Sequence, residues 1–107
     1  HPALGDWDGR GCRMTSPAEK FLKHVANVIA ERSIQYGDAA SNMAAIAARW
    51  SATLGREVTP AQVVLCLLDL KLARLAHDPT HEDSVVDVCG YAALLAEITR
   101  TTEQEGH

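Results

Sequence analysis

Val63–Tyr91, VVLCLLDLKLARLAHDPTHEDSVVDVCGY, decides how this chain folds. Its first half is apolar on nearly every side and is interrupted only by Asp69, Lys71 and Arg74. A parallel-sheet strand is the competing assignment. The run is too long for one, and it opens on a helix start, with Thr59 as cap, Pro60 at the first position and Gln62 at the third. A helix is therefore predicted from Pro60 to Ala76. Pro79 disfavours helix at Asp78. Thr80 is placed to cap a further helix, with Asp83 as its third-position acid, running to about Thr99. A helix hydrophobic all round is buried centrally or at a subunit interface.

Two further helices precede this hairpin. Ser16-Pro17-Ala18-Glu19 carries the full set of start signals, and Phe21, Leu22, Val25, Val28 and Ile29 follow at helical spacing, so the first helix is expected to reach about Ser33. Gly37 suits a turn of positive φ and Asp38 can cap what comes next. The second helix, Ala39 to Leu54, places Met43, Ile46, Ala47, Trp50 and Leu54 on one face and ends at Gly55. Four helices with short connections give an all-α protein, a small antiparallel helical bundle. Residues 14–100 form a single helical domain. Met14 is a candidate natural start, which makes residues 1–13 a flexible leader or extension whose one expected role is docking of Trp7; residues 101–107 are polar and expected to fray.

Bulk properties narrow the function. The chain has 107 residues, 47% of them hydrophobic but only 5% aromatic, so Ala, Val, Leu and Ile must build its core. Such a core buries little area per residue, and added burial in a homo-oligomer is expected. A net charge of −4 argues against general nucleic-acid binding, which needs a basic face. No stretch has the roughly 18 uninterrupted apolar residues of a membrane span. Cys12, Cys66 and Cys89 form no CxxC pair, and buried free thiols in a reducing cytoplasm are the expectation.

Two constellations carry chemistry. Antiparallel pairing about residues 78–79 brings Arg74 opposite Asp83 and Lys71 near Asp87. Lys71 and Arg74 in an apolar wall can hold a phosphate, with the guanidinium as a bidentate fork. Asp83 and Asp87 offer the carboxylates that Mg²⁺ takes together with substrate phosphates and water. The alternative is that the four groups neutralise one another, as buried charges must, and this is the favoured role. The second constellation is Glu31, Arg32, Gln35, Tyr36, Gly37 and Asp38 at the first junction. It reads either as a helix corner capped by Asp38 or as a pocket mouth where Tyr36 stacks on a base, and the corner is favoured. His81, at a helix start, can touch an anion; a plain surface histidine is the commoner reading.

From Glu31 to Glu97 the chain resembles a family of short bacteriophage and prophage proteins of unknown function. The pattern is R-x-x-x-YGD, A-x-x-W-S, T-x-x-Q-V, K-x-x-R-L-A and H-x-D-S-x-x-D-x-x-x-Y. Its matches here include Arg32, Tyr36, Gly37, Asp38, Ala47, Trp50, Ser51, Thr59, Gln62, Val63, Lys71, Arg74, His81, Asp83, Ser84, Asp87 and Tyr91. More distantly it resembles the nucleotide-modification-associated domains of phages and the MazG-type all-α nucleotide pyrophosphohydrolases. The latter bind Mg²⁺ through an E-x-x-E and an E-x-x-D pair. This chain has neither, and offers Asp83 and Asp87 with Asp69 or Glu31 as supplements. The family has no established chemistry to carry over; with the two constellations, the leading expectation is a phage-derived protein of the host cytoplasm that binds a nucleotide or other phosphate-bearing small molecule. Lys71, Arg74, Tyr36, Arg32, Asp38 and His81 would be the ligand-binding residues. A Mg²⁺-dependent pyrophosphohydrolase is the first alternative; an interaction module without a ligand is the second.

Overall fold

A computed structural model describes residues 15–106 as four helices: α1 (Pro17–Tyr36), α2 (Ala39–Leu54), α3 (Pro60–His77) and α4 (Glu82–Gly106). The expected leader, Trp7 and Cys12 lie outside the described residues. The all-α reading holds, and each start signal acts as its chemistry dictates. The Ser16 hydroxyl accepts from Glu19 N–H while Glu19 accepts from Ser16 N–H, both at 3.1 Å. Thr59 and Gln62 repeat the exchange at the start of α3. Asp38 caps α2, accepting from Ser41 N–H at 3.1 Å and from the Ser41 hydroxyl at 2.7 Å. Gly37 and Gly55 carry the positive φ values, 83° and 70°, that end α1 and α2.

Three local assignments change. Helix α1 continues to Tyr36, and Asn42 Nδ2 donates to the Tyr36 carbonyl at 3.3 Å, which fixes the corner. Helix α4 continues to Gly106. Its start is held by His81, not Thr80: Ser84 N–H donates to His81 Nδ1 at 3.2 Å, while Thr80 is taken by Asp78 at 2.7 Å. The Ser84 hydroxyl lies 2.8 Å from the same nitrogen, within hydrogen-bond distance. Ser84 is fully buried, so the imidazole satisfies a hydroxyl that would otherwise be stranded.

The largest departure concerns which helix is central. α4 touches all three other helices, most extensively α3, whereas α3 packs on α2 and α4 and leaves its outer side uncovered. Val63 and Val64 are fully buried, but Leu65, Leu70 and Leu72 are exposed, and Leu70 keeps 61% of its surface. The physical reason is geometric. Two neighbours cover only one side of a cylinder, and α1 docks on α4 instead. Cys66 falls on that uncovered side and is exposed rather than buried, while Cys89 is half-buried. The core joins Met43 and Ala47 of α2, Val63 and Val64 of α3, and Leu94 of α4, with Trp50 packed against them as its place on the stripe predicted. Val25 is the buried residue of α1; Leu22 and Ile29 on the same stripe stay exposed.

Candidate functional site: the cleft between α1, α2 and α4

Where the end of α1, the start of α2 and the middle of α4 meet, they enclose an open cleft of about 260 Å³. The local sequence explains why it is open. The Gly37 turn swings α2 away from α1, and Gly90, in the middle of α4, presents no side chain. A Cβ built on Gly90 would meet nothing within 4 Å. Ile29, Met43 and Leu94 supply apolar wall; Arg32, Tyr36, Asn42, Asp87 and Tyr91 supply the polar groups. Tyr36 is 67% exposed, so its ring is presented rather than packed.

Asp87 is the electrostatic centre. Its Oδ1 accepts from Arg32 at 2.9 Å and its Oδ2 from Lys71 at 3.0 Å, so one carboxylate of α4 ties α1 and α3 together. Burial pushes its carboxyl up. The hydrogen bonds and charges of Lys71 and Arg32 together outweigh that and hold it below its ordinary value. Asp38 is also held low, by the Ser41 hydroxyl and N–H it accepts from.

The residues expected to form a site divide accordingly. Arg32, Tyr36, Asp38 and Asp87 line the cleft; Lys71 stands behind it, touching Asp87 from the α3 side. The structure bears out the Lys71–Asp87 pairing. It does not contain the Arg74–Asp83 pair, since both residues are exposed and no ion pair joins them among the described residues. Lys71 lies on the stripe facing α4, and Arg74, three residues on, is turned to its solvent edge. Arg74, His81 and Asp83 do not line the cleft. Among the described residues no three His, Cys, Asp or Glu side chains converge to hold a metal.

Sequence reasoning passed over Gly90, Asn42, Met43, Leu94 and Glu97 as lining residues. A lone glycine inside a helical pattern was the available signal, because it costs stability unless something needs the space. Many motif residues turn out to be structural. Ser51 Oγ donates to Ala47 C=O at 2.7 Å and accepts from Val58 N–H at 2.8 Å, holding the α2–α3 loop. Thr59, Gln62, His81 and Ser84 serve caps, and Asp38 caps from the cleft rim. Of the remaining polar motif residues, Arg32, Tyr36, Asp87 and Tyr91 line the cleft, Lys71 stands behind Asp87, and Arg74 and Asp83 are exposed away from it.

Residues 20–99 match the model of a domain of unknown function, DUF6378. The chain belongs to that family. It is 42% identical over 66 residues to the Gene 55 protein of Mycobacterium phage L5, covering 61% of this chain and 42% of that protein. It is 30% identical over 82 residues to the Gene 55 protein of Mycobacterium phage D29, covering 76% and 54%. The chain thus spans about half the length of these phage relatives. No solved structure matches it. No helix among the described residues is long and apolar enough to cross a membrane.

Proposed function

We propose that this DUF6378 domain binds a nucleotide or similar small molecule, one with a planar ring and a phosphate, in the cleft between α1, α2 and α4. The observation that carries the reading is the juxtaposition of an exposed Tyr36 ring, an apolar wall and the half-exposed Arg32 guanidinium around one open volume. A ring stacks on Tyr36 over Met43 and Leu94. Arg32 offers a phosphate the parallel donors of its fork.

Calorimetry or thermal shift with a nucleotide panel tests this. Tyr36→Ala leaves the fold intact, since the ring is mostly in solvent, and weakens binding at least fivefold on a stacking contribution of about 1–3 kcal/mol. Equal affinity in wild type and Tyr36→Ala would place the ligand elsewhere.

A second reading rests on one specific observation: both oxygens of Asp87 are already engaged, by Arg32 and Lys71. On it the network fixes the packing of three helices and binds nothing, and no nucleotide shifts the melting temperature. The hydrolase alternative would need Asp83 and Asp87 to share Mg²⁺. Nucleoside triphosphates incubated with the protein and Mg²⁺ are expected back intact, and release of pyrophosphate would establish hydrolysis instead.

A further inference from the structure

We infer that Asp87 is an internal competitor for the ligand's phosphate, holding Arg32 at 2.9 Å and surrendering it when a phosphate arrives. The inference rests on the nucleotide-binding reading of the cleft and adds the group that limits its preference for phosphorylated ligands. Three features of the network carry it. Arg32 is the cation that lines the cleft, and its side chain is 53% exposed, so the arm can leave Asp87 without disturbing the core. Asp87 is itself a wall residue and keeps only 15% of its side chain in solvent, so a phosphate entering beside it meets a fixed negative charge.

Lys71 is the third feature. It grips the other carboxylate oxygen at 3.0 Å from outside the cleft, with its side chain 23% exposed. When Arg32 turns to a phosphate, Asp87 remains paired, and no half-buried charge is orphaned by the exchange. A carboxylate with a single cation would resist this. One shared between two can release the exposed partner and retain the sheltered one. The cost of the exchange falls on one class of ligand: a phosphate dianion must draw Arg32 away from Asp87, whereas a neutral nucleoside leaves the pair in place.

The test compares the four ribonucleosides with their 5′-monophosphates by calorimetry, in wild type and in Asp87→Asn. The expected result is that the monophosphate-to-nucleoside affinity ratio rises about two- to fivefold in Asp87→Asn, the range that one such ion pair contributes, while nucleoside affinity stays put. An unchanged or lowered ratio overturns the inference, because Asp87 would then be positioning Arg32 rather than competing for it. Should Asp87→Asn fail to fold, Lys71→Met/Asp87→Asn removes the pair together, leaves no unpaired lysine, and is expected to raise the ratio likewise. A fall in the double variant would mean that Lys71 itself grips the phosphate, which also overturns the inference. If wild type binds nucleosides and monophosphates equally, cleft binding stands and the inference fails; if it binds none of these probes, both fail.

Discussion

Gly90→Ala isolates the claim that the cleft is open space bought at the expense of helix stability. Gly90 lies inside α4, where glycine is less favourable than alanine by roughly 0.5–1 kcal/mol because its backbone loses more freedom on folding. The added methyl would meet no atom within 4 Å, and the backbone at Gly90 has no positive φ that would strain an L residue. The full propensity gain should therefore appear as stability. In a domain of this size it raises the melting temperature by roughly 2–8 °C. Thermal and urea unfolding followed by circular dichroism measure it, with an unchanged denaturant slope showing that the unfolded reference is the same. A lowered melting temperature would refute the reasoning, because the methyl must then collide with α1 or α2 and the space is not there. Gly90→Leu carries the argument to function. Its side chain enters the cleft beside Leu94, so the protein stays folded while nucleotide binding is lost. Undiminished binding in that variant would remove the cleft as the site.

His81→Ala should cost about 1–2 kcal/mol, since it deletes a helix cap and strands the buried Ser84 hydroxyl, and His81→Asn should recover part of this by chemical denaturation. Acid sensitivity follows from Asp87. Its folded pKa is depressed by Lys71 and Arg32 against the upward push of burial. Its contribution is therefore present above the unfolded value of about 4 and is lost as pH falls through the folded value. Asp87→Asn should flatten that part of the acid limb, and an identical acid transition in the variant would contradict the pairing. The uncovered leucines of α3 predict self-association: Leu65→Gln with Leu72→Gln should shift a concentration-dependent oligomer to monomer in sedimentation velocity, and a wild type that is monomeric at every concentration would rule this out.

The site was legible in pieces rather than as a place. Arg32, Tyr36 and Asp38 stood out because a YGD corner is unusual punctuation, and Lys71 and Asp87 because charges in an apolar hairpin need partners. The leading expectation put them in one ligand-binding set, but the Arg32–Asp87 contact could not be read, because the two are 55 positions apart and meet only through the docking of α1 on α4. Arg74 shows the opposite error. Its spacing from Lys71 suggested a shared face, but a helix advances about 100° per residue, and three steps suffice to carry a side chain over the solvent edge. His81 was read first as a plain surface histidine and second as an anion contact, when its use is as an acceptor from Ser84, which the local spacing would have allowed.

By itself the sequence determined four helices, the start caps of the first three and the short connections, because those depend on contacts within a few residues: a hydroxyl or carboxylate reaching the third N–H, a proline at the first position, a glycine at the end. Tertiary structure alone decided that α4 rather than the more apolar α3 is central. Burial depends on how many neighbours a helix meets, not on how many apolar residues it carries. It also decided that Asp87 serves two cations from two helices, leaving beside them an open volume with a glycine for its floor.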